Sequence, residues 1–127
     1  MNNLILTLSL FFSLNSFAQS ERTYRDKKNK YVFMIDNKNY LFITKNCNKK
    51  CSAYKVLNKV STKKVFTRQG QNPGAILCDE ILRKEVVTLR NELGGESTFC
   101  RFKDGSMIES SRLFIHAQIN DEKRKTR

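Results

Sequence analysis

The spacing of apolar positions changes several times along the chain, and each change predicts an element. Residues 4–14 are apolar apart from Thr7, Ser9 and Ser13. Ser16 and Ala18 follow as a small-x-small pair, which suits the narrow pocket of signal peptidase. Residues 1–18 therefore read as a secretory signal peptide cleaved after Ala18. The apolar run is shorter than the roughly 20 residues a bilayer span needs. A membrane anchor or a buried N-terminal strand is the competing reading. Residues 19–30 are polar, with Tyr24 as the single anchor, and are expected to form a mobile arm. Residues 31–35 and 40–44 are β-branched and aromatic, and residues 36–39 are turn material. Together they predict a β-hairpin with a four-residue loop. Ala53, Val56, Leu57 and Val60 recur at i, i+3, i+4 and i+7, as on one face of a helix, with Ser52 placed to cap it. The β-branched residues around them leave a strand open. Residues 64–68 suggest a short strand or an extended linker.

The second half is punctuated more sharply. Asn72 has the chemistry of an N-cap, and Pro73 suits the first helical position, where its missing N–H is no loss. Leu77, Cys78, Ile81 and Leu82 continue as an apolar stripe. Residues 85–90 and 97–103 are strand candidates, joined by a turn that contains Gly94 and Gly95. Asp104-Gly105 marks a hairpin, because Gly accepts the positive φ that tight turns need. Met107-Ile108 resumes a strand, and residues 113–119 are expected to continue the sheet. The predicted fold class is α+β: a small antiparallel sheet with one or two short helices, stabilised by disulfides. Its organisation is a basic half over 19–70, a helix-plus-sheet unit over 71–120 and a frayed charged tail over 121–127.

Charge and cysteines narrow the function classes. The net charge is +12, and residues 19–71 carry 14 Lys and Arg against 3 Asp and Glu. Such asymmetry points to an anionic partner, an envelope polymer, an anionic lipid or a nucleic acid. The candidate contacts are Lys27, Lys28, Lys30, Lys45, Lys49, Lys50, Lys63 and Lys64, with Tyr31, Tyr40 and Tyr54 interleaved. The chain also has 15 Lys and 12 Asn, a composition that an AT-rich genome produces without any ligand. The other candidate is a binding module for an envelope protein, with a surface the sequence does not name.

Cys47, Cys51, Cys78 and Cys100 are an even set behind an export signal, which favours two disulfides over free thiols. Three pairings are open. Cys78 on a helix and Cys100 on a strand beneath it would tie helix to sheet. Cys47 and Cys51 can close only across a turn, because side chains at that spacing on a regular helix point apart. A four-cysteine zinc site would want paired Cys-x-x-Cys knuckles, which are missing, so no metal or other cofactor is expected. His116, the single histidine, lies in an apolar context and has no carboxylate close by in sequence. There is no His-Glu-x-x-His pattern, no phosphate loop and no paired-carboxylate signature, so no catalytic residue is assigned.

Asn72-Pro73-x-Ala75-x-x-Cys78, then Gly94-Gly95, then Phe99-Cys100-x-Phe102-x-Asp104-Gly105-Ser106 resembles a family of small exported bacterial domains that often carry a hemolysin label. The match covers about residues 71–118. The resemblance implies a secreted or periplasmic address and carries no activity with it. Relatives often place further cysteines two residues after Asp-Gly-Ser and near residue 118, where this chain has Ile108 and Gln118. What the resemblance then implies is a Cys78–Cys100 bridge, with Cys47–Cys51 as the other pair.

Overall fold

The computed structural model describes residues 19–127. The predicted signal peptide lies outside them. Six strands, β1 (Ser20–Arg25), β2 (Lys30–Asp36), β3 (Leu41–Thr44), β4 (Glu85–Asn91), β5 (Glu96–Arg101) and β6 (Met107–Glu109), close into an antiparallel barrel in the order β1-β2-β3-β6-β5-β4. Two three-stranded meanders are joined at β3–β6 and at β1–β4. Antiparallel pairing, helices beside the sheet and disulfide reinforcement are as expected, but the α+β expectation of a small open sheet holds only in part, because the strands close into a barrel with no free edge.

Closure depends on the segment expected to be a mobile arm. Residues 20–25 pair along their whole length with β2, and Tyr24 and Arg25 pair with Asn91 and Arg90 of β4. Tyr24 is 2% exposed. Its ring meets those of Phe33, Phe42 and Phe99, and all six centroid separations among the four fall between 4.4 and 5.7 Å. With Ile35, Leu89 and Met107 these rings fill the barrel, and every strand contributes. One aromatic in an otherwise polar hexapeptide is enough here, because the strand's other face is solvated.

The hairpin turns follow from local chemistry. Asp26 and Asp36 each open a turn by accepting the N–H groups two and three residues on, those of Lys28 and Asn29 and of Lys38 and Asn39. The β4–β5 and β5–β6 loops are alike: Asn91 and Gly95, and Phe102 and Ser106, face each other across three residues. In both, the third loop residue is a left-handed glycine, Gly94 at φ 82° and Gly105 at φ 84°. This is a three-residue hairpin loop rather than the two-residue turn that Asp104-Gly105 suggests.

Outside the barrel a second core covers one half of the wall. Leu41, Ile43, Cys100 and Ile108 face outward there and meet the helical segments. Helix α1 (Ser52–Lys55) is short and passes into turns, but Ala53, Leu57 and Val60 are buried on the predicted face. Ser52 is not its cap. Cys51 holds that position without a side-chain bond, and the N–H groups of Ser52 and Ala53 are taken by Asp104 at 2.8 Å and by Ser106 Oγ at 3.0 Å. Residues 64–68 form no strand, and Phe66 is 81% exposed.

Helix α2 (Pro73–Ile76) begins as predicted: Asn72 caps Gly74 and Ala75, and Pro73 opens the first turn. It runs into a π-helical turn, Leu77–Ile81. The last element corrects two expectations. Residues 113–119 do not extend the sheet, and residues 121–127 are not a frayed tail. Both lie largely within α3 (Ser110–Lys125). Leu113 and Ala117 are buried one turn apart, as is Ser110, so the 3.6-residue period overrides the strand-like composition of the run. Glu109 caps this helix through Ser111 and Arg112.

Candidate functional site

The four cysteines form two disulfides, Cys47–Cys51 with Cα atoms 5.0 Å apart and Cys78–Cys100 at 5.6 Å. Cys47 precedes α1 and Cys51 stands at its N-cap position, with the Cys51 N–H donating to the Cys47 carbonyl, so the required turn is present. Cys78 and Cys100 are buried and bind the π-helical turn to β5. Among the described residues, no group of three or more His, Cys, Asp or Glu side chains gathers as metal ligands would.

The other residues that define the sequence motif also hold the structure together. Asn72 donates from Nδ2 to Ser110 Oγ at 3.1 Å besides capping α2. Asp104 and Ser106 cap α1 across the molecule. The Ser106 hydroxyl, with the N–H groups of Ser52 and Ser106, donates to the Asp104 oxygens and holds this carboxyl far below the usual range. Asp121 is similarly lowered, to about 2, because the hydroxyls of Ser61 and Thr62 and the Thr62 N–H donate to it. His116 is half-buried, and desolvation lowers its pKa. Its Nε2 lies 3.2 Å from the Tyr40 carbonyl oxygen, so this nitrogen carries the proton. These groups are occupied by the fold.

The eight lysines named from the sequence do not form one patch. Lys27 and Lys28 sit in the β1–β2 turn, and Lys49 and Lys50 in the loop closed by Cys47 and Cys51. Lys63 and Lys64 follow α1. Lys45 pairs with Glu21 at 2.9 Å. Tyr31 bonds Asp26, Tyr54 packs on the outer core, and Tyr40 sits in the β2–β3 turn, so the aromatics do not form a stacking platform.

Lys30 is different. It lies directly opposite Arg25, and Arg25 lies directly opposite Arg90, on three adjacent strands. Adjacent strands are about 4.8 Å apart, and opposed side chains point the same way. Inward-facing Tyr24 and Leu89 neighbour Arg25 and Arg90 in sequence, so the three cations stand on the outer wall. That wall, β2-β1-β4, is the half to which the outer core contributes least. Thr23, Arg25, Lys30, Arg90 and Glu92 line a pocket there of about 170 Å³. Arg90 leans on Glu96, 2.8 Å away, whereas Arg25 and Lys30 have no carboxylate within ion-pair reach among the described residues.

The rest of the barrel pairs its charges in the ordinary way. Glu85 faces Arg101 and Glu96 faces Arg90, and both pairs are bridged. Like charges set directly opposite each other are destabilising. A run of three is therefore an exception within its own sheet. Of the three only Lys30 stands among the candidates named from the sequence; Arg25 and Arg90 meet each other only through barrel closure. A larger groove of about 490 Å³ lies between α3 and the loop after α1. Of its cations, Arg124 and Lys125 are matched by Asp121 and Glu122, and Lys63 makes no ion pair among the described residues; Asp121 also fastens the loop, so this groove is a packing seam with a single unpaired cation at its edge. A scan against protein-family models, a search of curated proteins and a search of solved structures each returned no match.

Proposed function

We propose that this chain is an exported, non-catalytic binding module that holds an anionic ligand on the open β2-β1-β4 wall. The observation that carries the reading is the register row Lys30–Arg25–Arg90, three cations opposed across adjacent strands with one carboxylate partner among them. An anion seated over the row replaces mutual repulsion with attraction. The non-catalytic part is supported by the occupation of Asp104, Asp121 and His116 in capping and packing bonds. The exported part is supported by two disulfides and the leader pattern. No helix among the described residues is long and apolar enough to cross a membrane. The resemblance over residues 71–118 fits the same address.

A protein this basic binds any cation exchanger to some degree, so the test compares variants of equal charge. On phosphocellulose, Arg25→Gln with Arg90→Gln is expected to elute at clearly lower salt than Lys49→Gln with Lys50→Gln. Equal elution of the two would remove the wall as the binding surface and leave only diffuse basicity.

A further inference from the structure

The row is short and bounded. Its β5 end meets Glu96, and Glu92 lines the same pocket as the three cations. A continuous polyanion crossing the row would run over these carboxylates. Glu92 pairs with none of the pocket's cations, since among the described residues the ion pair of Arg90 is made with Glu96. The pocket therefore presents two separated signs of charge: a cationic floor from Arg25, Lys30 and Arg90, and a carboxylate left open beside it. The hydroxyl of Thr23, also in the lining, adds a neutral donor or acceptor. About 170 Å³ admits a small headgroup but not a folded polymer segment.

Resting on the anion-binding reading, we propose that the site takes a compact zwitterion. A phosphate would sit on Arg25, Lys30 and Arg90, and a primary amine a few bonds away would reach Glu92. Phosphoethanolamine is the simplest molecule of this chemistry, and it occurs both as a lipid headgroup and as a soluble ester. Charge complementarity selects it over a plain phosphate, which leaves Glu92 as an unpaired anion close to a second anion.

The test titrates the disulfide-bonded protein with phosphoethanolamine and with ethyl phosphate, the same two-carbon ester without the amine, following both by calorimetry. Phosphoethanolamine is expected to bind about fivefold more tightly, the effect of one exposed ion pair. Glu92→Gln should abolish that preference while ethyl phosphate binds it at least as well as the parent. Equal affinity of the parent protein for the two esters overturns the zwitterion and leaves anion binding standing. No binding of either ester overturns both readings. Co-sedimentation with phosphatidylcholine vesicles containing phosphatidylethanolamine then separates the sources. Tighter binding to these vesicles than to the free ester assigns a headgroup, and binding of the free ester alone assigns a soluble ligand.

Discussion

Arg25 is flanked by a cation on each side, Lys30 on β2 and Arg90 on β4, and this makes it the residue with most to lose and most to gain. Replacing it with Thr, a good strand former, removes two unfavourable cross-strand pairs. Arg25→Thr is expected to raise stability by about 0.5 kcal/mol at low salt, with the gain shrinking as salt is added, while lowering affinity for anions. Denaturant melts at two ionic strengths check it. Gly74 behaves in the opposite way. A Cβ there would lie 2.0 Å from the carbonyl oxygen of Ser110, where α2 rests on the start of α3. Gly74→Ala is expected to cost about 3 kcal/mol, since a backbone contact cannot swing aside as a side chain can. Asp121 gives the chain an acid-labile point. Its carboxyl titrates at about 2 in the fold and near 4 when unfolded, so its contribution is complete above about pH 4 and is lost as the pH falls towards 2. Asp121→Asn should flatten the pH dependence of Tm over that window and lower Tm at neutral pH.

At the scale of elements, the sequence was most informative where one residue type decides a conformation. Asn72 and Pro73 start a helix, Gly94 and Gly105 complete loops, and the 31–35 and 40–44 runs pair, all by local rules. It was least informative where tertiary partners decide. β1 has a single buried ring, and its strand state comes from β2 and β4 on either side. α3 reads as a strand because Leu113, Ile115 and Ala117 alternate, yet only Leu113 and Ala117 of these are buried, at helical spacing. Its polar residues are equally decisive. Asn120 donates from Nδ2 to the carbonyls of Leu57 and Val60 at 2.7 and 2.9 Å, and Arg112 reaches Asn37. Asn120 and Asp121 together latch α3 over the segment after α1, and Arg112 ties the start of the helix to the β2–β3 turn. Asn120→Leu keeps the bulk and loses both bonds, and is expected to destabilise by about 2 kcal/mol, read as a shift in urea midpoint at unchanged m.

Across the whole molecule, the barrel wall divides into a covered half and an open half. One half of its wall is buried under α1, α2, α3 and both disulfides, and the other carries the charge row. Residues 19–71 hold most of the positive charge, but the proposed site also takes Arg90 from the nearly neutral second half. Arg25 and Arg90 are 65 positions apart in sequence, and only the β1–β4 pairing that closes the barrel brings them together. The two bridges stabilise unequally. Cys78–Cys100 closes 22 residues and should contribute about 3 kcal/mol, against about 2 for the four-residue Cys47–Cys51 loop. Anion binding on the open wall is read residue by residue when the isotope-labelled protein is titrated with inorganic phosphate and its backbone amides are followed by NMR. Saturable shifts are expected, concentrated at residues 23–25, 30–32 and 90–92. Shifts centred on Lys49, Lys50, Lys63 and Lys64, or scattered evenly over all the basic residues, would contradict it.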